Sequence, residues 1–208
     1  KAGTLYEKAI RLHPNFDKAY FHAGRLRFSL GDHDAALHYL LKAISFNPNL
    51  SEAHYILGRV YENSGNAPVA ISHYRESVKL NPEFIEAHLY LGVQLDVLGR
   101  MKEAIAEYKE VVRLNPDAEG GWYNLGRAYS RLGKYAQAVE PFQKAVAINA
   151  EYAKAHLGLG LAFEALRDYR RAALHIDRAR GFFQSQNQPK RAEMAAEHLK
   201  TLKAKDRP

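Results

Sequence analysis

The chain has 208 residues, 47% hydrophobic and 25% charged, with a formal net charge of +7. That balance excludes a disordered or fibrous chain and is ample for a buried core. There is no cysteine, which excludes disulfides, thiolate nucleophiles and cysteine-ligated zinc, and no apolar run approaches the roughly 20 residues that a membrane-spanning helix needs.

Residues 1–16 end in His13-Pro14, the first member of a series. Proline preceded by His or Asn stands at Pro14, Pro48, Pro82 and Pro116, always 34 apart, and Ala150 holds the next place. Glycine keeps the same step at Gly24, Gly58, Gly92, Gly126 and Gly160, and again at Gly31, Gly65, Gly99 and Gly133, where Arg167 ends the run. A fixed period of this length means stacked structural repeats. Counted from the third residue after each proline, the units are 17–50, 51–84, 85–118, 119–152 and 153–186, with 1–16 as the second half of an earlier one.

Each unit holds two amphipathic helical stretches. In 51–84, Leu57, Gly58 and Tyr61 form one apolar stripe and Ala70, Tyr74 and Val78 another, at helical spacing. Glycine at the fifteenth place supplies a permissive backbone between the helices. The Asn-Pro pair closes the second helix, because proline drives the preceding residue out of the α region. In the first unit the linking stretch reads GDHDAALHYL. Its Asp-His-Asp triplet resembles a metal or acid/base centre, yet the other copies keep only Gly, Ala and the apolar spacing. Asp32 or Asp34 is therefore expected to cap the second helix.

The pattern at the other places closely resembles the tetratricopeptide repeat (TPR) over nearly the whole chain. An aromatic residue or His stands at place 4 (Tyr20, His54, His88, Trp122, His156), Gly at place 8, Ala at place 20 (Ala36, Ala70, Ala104, Ala138, Ala172) and Pro at place 32. The resemblance implies an all-α, right-handed superhelical solenoid of antiparallel helix pairs. Its first helices would line a concave groove, and each hairpin would be stabilised by its neighbours.

The last unit drifts from the pattern. Arg167 replaces Gly, Gln184 replaces Pro, and Arg180 stands where Ile44, Val78, Val112 and Val146 stand elsewhere. After it, 187–208 is expected to form a capping helix and tail, opened by Pro189, with Ala192, Ala195, Ala196, Leu199 and Leu202 on one face. The half repeat 1–16 lacks its first helix. The expectation is a fragment of something longer or an edge covered by another chain, with self-association through that edge left open.

No HExxH, GxSxG, Walker or dinucleotide-binding motif is present. His54, His88 and His156 fall on the place-4 packing position, on helices spaced too far apart to share an ion. No catalytic residue, metal or cofactor is expected. Pro141, inside a second helix, is expected to bend it slightly.

By resemblance, the groove is built mainly from places 2, 5, 6, 9, 12 and 13 of each first helix, and the candidates come from the last five. These places supply Phe21, Arg25, Phe28, Tyr55, Arg59, Tyr90, Tyr123, Asn124, Arg127 and Arg131. Rings with interleaved guanidinium groups suit a peptide, with arginine gripping carboxylates or carbonyls; the alternative pairs these arginines with Glu52, Glu62 or Glu86. The carboxylate clamp of some TPR domains is not matched, since only Asn124 and Lys154 fit it while Leu89, Val93 and Gly158 do not. The asparagine ladder of O-linked sugar transferase arms is reduced to Asn124.

Positive charge gathers near the C-terminus, at Arg170, Arg171, Arg178, Arg180, Lys190 and Arg191, while the middle repeats are close to neutral. That disfavours a nucleic-acid partner, which needs a continuous basic track. The reading is a non-catalytic interaction scaffold for a peptide or protein segment; the alternative is the recognition arm of a larger enzyme such as a glycosyltransferase. A soluble chain is expected, the cytoplasm being favoured over the periplasm, with the compartment otherwise unassigned.

Overall fold

The computed structural model describes residues 2–205. Lys1, at the start of the half repeat, and 206–208, at the end of the expected tail, lie outside the described residues. Among the described residues every regular element is an α-helix, and the chain divides into two compact units, Lys1–Gly99 and Arg100–Pro208.

The first unit comprises α1 (Ala2–Leu12), α2 (Asp17–Ser29), α3 (His33–Phe46), α4 (Ser51–Asn63), α5 (Ala67–Leu80) and α6 (Ile85–Val97). Each packs on the next, and α2 also touches α4. The turns follow from local chemistry. Asp32 Oδ1 accepts the Ala35 amide at 3.2 Å and so caps α3, whereas Asp34 lies in its first turn. Asn66 caps α5 in the same way through Val69. Gly31 and Gly65 hold φ of +78° and +76°, a region costly for residues with a Cβ. At the other end Asn47 and Asn81 are extended, and their side-chain oxygens accept the amides of Asn49 and Glu83 respectively, each at 3.1 Å.

The hairpin is closed by contact between places 8 and 24. A Cβ on Gly24 would lie 2.6 Å from Leu40, and one on Gly58 would lie 2.6 Å from the Tyr74 ring. The absent side chain is what lets a large residue rest on the facing helix backbone. Ala36, Ala43, Ala53, Leu40 and Leu57 are completely buried around this seam.

The second unit comprises α7 (Met101–Leu114), α8 (Glu119–Arg131), α9 (Tyr135–Ile148), α10 (Ala153–Ala165), α11 (Tyr169–Ser185) and α12 (Pro189–Lys205). Consecutive helices again pack on each other, and α8 touches α10. Phe142 meets Gly126 and Gly158, and Ile176 meets Gly160, repeating the same seam. Arg167 takes the left-handed conformation of the glycines it replaces, with φ +63°. With Gln184 in place of proline, α11 runs for 17 residues against 14 in α9. Ala192, Ala195, Leu199 and Leu202 of α12 are buried, Ala196 partly so, and α12 packs along α11.

Candidate functional site

Four of the five place-4 side chains share one task. The ring nitrogens of His54, His88 and His156 lie 3.1, 3.1 and 3.0 Å from the carbonyls of Pro48, Pro82 and Ala150, and Trp122 Nε1 donates to Pro116 O at 2.8 Å. In every case the ring pins the turn that precedes its own helix. A carbonyl can only accept, so Nε2 of each histidine carries the proton. His54 Nδ1 is then an acceptor for His73 Nδ1–H, 3.1 Å away, and His156 Nδ1 receives His175 Nδ1–H at the same distance. Among the described residues no group of three His, Cys, Asp or Glu is placed to share a metal ion, and no helix is long and apolar enough to cross a membrane.

In the first unit, Phe28, Tyr55, Arg59 and Tyr90 come together. The Arg59 guanidinium lies 4.0 Å from the Tyr90 ring centroid and 5.7 Å from that of Phe28, and its Nη1 donates to the Tyr55 hydroxyl at 3.1 Å. Tyr55 also packs on Phe84, their centroids 4.9 Å apart. Glu62 faces Arg59 Nε at 3.4 Å, but its two oxygens already receive Tyr74 Oη at 2.7 Å and Gln94 Nε2 at 2.8 Å. Arg59 Nε itself makes no hydrogen bond. Glu62 thus positions the arginine by charge while its own acceptors are engaged elsewhere.

The electrostatics follow from this enclosure. Burial works against the charge on Arg59, but its hydrogen bond to Tyr55 and the surrounding phenols hold its pKa above the ordinary value. Burial raises the pKa of Tyr55, opposed by Arg59, and raises that of Tyr74, where donation to Glu62 adds to the effect. Arg59, Tyr55 and Tyr74 therefore keep their ordinary charge at neutral pH, and the guanidinium stands among three rings with the Glu62 carboxylate beside it.

Phe21 is placed differently: it is only 7% exposed and belongs to the core formed with Ala36 and Leu40. Arg25 lies over its ring at 5.5 Å and pairs loosely with Glu52 at 3.5 Å, both charged side chains being about half exposed. The pairing of arginines with Glu52 and Glu62 foreseen from the sequence is therefore present beside the ring contacts.

In the second unit, Tyr123 packs on Phe142 and Tyr152, centroids 6.0 and 5.3 Å apart, as Tyr55 packs on Phe84. Asn124 and Arg127 are half-buried on the same helix and Arg131 is exposed. Burial beside Tyr123 raises the Tyr152 pKa. The residues that sequence reasoning missed are Tyr74 and Gln94. Tyr74 sits at a core place where only its hydroxyl distinguished it, and Gln94 gave no local sign that it would face Glu62.

Helix pairs of one repeating design, each fixed by the same turn and seam, define a helical-repeat protein. The chain belongs to the tetratricopeptide repeat family: a model described as TPR repeat matches residues 24–65, 98–133 and 126–167, and two described as tetratricopeptide repeat match 51–84 and 5–38. No curated protein matches the chain. Among solved structures, it is similar to YrrB, described as a TPR protein with an unusual peptide-binding site, at 20% identity and a TM-score of 0.83 over 92% of this chain and 97% of that one. It is similar to MamA at 24% identity and a TM-score of 0.76, over 83% and 94% of the two chains. A MamA fragment from Desulfovibrio magneticus RS-1 is 27% identical with a TM-score of 0.74, over 82% and 96%. What these likenesses share with the chain is the fold.

Proposed function

We propose that the protein is a non-catalytic interaction scaffold that binds an extended peptide or protein segment along the first helices of its repeats. The observation that carries this reading is Arg59, a cation held 4.0 Å from the Tyr90 ring and 5.7 Å from that of Phe28, with Tyr55 fixing its Nη1. A guanidinium so fixed has lost its freedom before a ligand arrives, which lowers the cost of binding a carboxylate or a backbone carbonyl. Tyr55, Tyr90 and Phe28 offer ring surface for the neighbouring side chain of the segment. Arg25 in the first unit, and Tyr123, Asn124, Arg127 and Arg131 in the second, are assigned to the same task. The division into a half repeat 1–16, five repeats from 17 to 186 and a capping helix with tail, 187–208, belongs to this proposal.

The test is a peptide array probed with the wild-type chain and with Arg59→Glu, both checked by circular dichroism. Peptides pairing an acidic with an aromatic or aliphatic residue should be retained by the wild type and weakened at least tenfold by the substitution. Equal retention by a folded Arg59→Glu chain would remove the groove assignment.

A further inference from the structure

A different feature of the second unit shares no residue with the groove. In two repeats the place-23 residue is a histidine whose ring is sandwiched between the rings at places 4 and 11. His73 lies 5.4 Å from His54 and 5.4 Å from Tyr61, and His175 lies 5.3 Å from His156 and 5.8 Å from Phe163. The repeat 119–152 keeps both outer rings, Trp122 and Tyr129, but its place 23 is Pro141. A pyrrolidine is smaller than an imidazole and is tied back to its own backbone, so it does not fill the space between them. An open cleft of about 480 Å³ is found there, bounded by Trp122, Tyr129, buried Pro141, Lys109, Arg113 and Glu140.

Two details make this a built slot. The hydrogen bond from Trp122 Nε1 to Pro116 O holds the indole as one wall. Proline at 141 also removes the amide that would bond the Gln137 carbonyl one turn earlier, and Gln137 lines the cleft. The charges on its rim are two cations from α7, Lys109 and Arg113, against one carboxylate, Glu140. Arg113 is about three-fifths exposed and donates Nε to Glu110 at 2.8 Å.

We infer that this cleft between α7, α8 and α9 is a second binding site, taking an aromatic side chain of a partner polypeptide that carries an acidic residue beside it. The chain itself shows what the slot accepts, since its own imidazole occupies the same place in two sister repeats. An inserted ring stacks on Trp122 and Tyr129 as His73 and His175 stack on their walls. The adjacent carboxylate meets Lys109 and Arg113.

Trp122 is the single tryptophan of the chain, so its fluorescence reports the slot alone. The probes are the capped dipeptides acetyl-Asp-Phe-amide, acetyl-Asn-Phe-amide and acetyl-Asp-Leu-amide. Acetyl-Asp-Phe-amide should change the Trp122 emission saturably, with the leucine probe binding about 3- to 10-fold more weakly, the value of one aromatic contact. Lys109→Glu/Arg113→Glu should weaken the Asp-Phe probe and leave the Asn-Phe probe unchanged. The deciding variant is Pro141→His, which plugs the slot with the chain's own ring and should abolish binding, while Pro141→Ala retains it. Should Pro141→His melt below the wild type, Tyr129→Ala removes a wall instead and must weaken binding. No saturable response in the wild type, equal response to the leucine probe, or undiminished binding by the plugged or wall-deleted chain would overturn the assignment.

Discussion

The guanidinium of Arg59 lies 4.0 Å above the Tyr90 ring, a contact between the first helices of two neighbouring repeats. Arg59 is also about three-quarters buried, so the contact is partly shielded from water. Partial desolvation strengthens a cation–π pair to about 1 kcal/mol. A double-mutant cycle with Arg59→Met and Tyr90→Leu, read by urea unfolding, is expected to return a coupling of that size. A coupling near zero would mean that the ring does not hold the arginine.

Acid should weaken the fold through the histidine pairs. Burial, reinforced by its histidine partner, lowers the His73 pKa to about 4, and burial with His156, Arg178 and Arg171 does the same for His175. Both are depressed relative to an unfolded value near 6.5, so between about pH 6.5 and 4 the unfolded chain binds more protons than the folded one. Their contribution to stability is complete above pH 6.5 and declines as the pH falls towards 4. Thermal melts across this range should show that decline. His73→Gln/His175→Gln, which keeps a donor towards each partner but cannot titrate, should flatten it.

Gly58 and Gly65 are constrained for separate reasons. A methyl on Gly58 would lie 2.6 Å from two ring carbons of Tyr74, so Gly58→Ala is expected to cost about 1–3 kcal/mol through overpacking. Gly65 has open space around its Cα but φ of +76°, and Gly65→Ala should cost about 1–2 kcal/mol through its backbone. Pairing Gly58→Ala with Tyr74→Leu separates the two. The smaller partner should relieve the first loss in chemical denaturation and leave the second unchanged.

Arg167 holds a left-handed conformation with φ +63° at the place where four other repeats have glycine. Relieving that strain is offset in part by the greater freedom of glycine in the unfolded chain. Arg167→Gly is expected to stabilise the protein by about 0.5–1 kcal/mol, measurable as a higher urea midpoint at unchanged slope. A lower midpoint would show that the arginine side chain holds the turn by contacts that outweigh its backbone strain.

The sequence by itself determined the helices, their turns and the seam. Those depend on local rules, namely proline acting on its predecessor, glycine at positive φ, a carboxylate on free amides, and apolar residues at helical spacing, and the 34-residue period repeats each rule until it is unmistakable. Its resemblance to the tetratricopeptide repeat also brought Phe28, Tyr55, Arg59 and Tyr90 into one set of candidates, although they hold four different places of the repeat. Only the tertiary structure decided which of them meet. Phe21 and Tyr55 hold the same place, yet Phe21 is buried in the core while Tyr55 accepts a hydrogen bond from Arg59. Glu62 was readable as a partner for arginine, but not as a carboxylate that receives Tyr74 on one oxygen and Gln94 on the other. Pro141 read as a bend, and the cleft beside it emerged only when its two flanking rings were seen without a third between them. Such features rest on the spacing of neighbouring helices and the rotamers they permit, and no single stretch of the chain encodes either one.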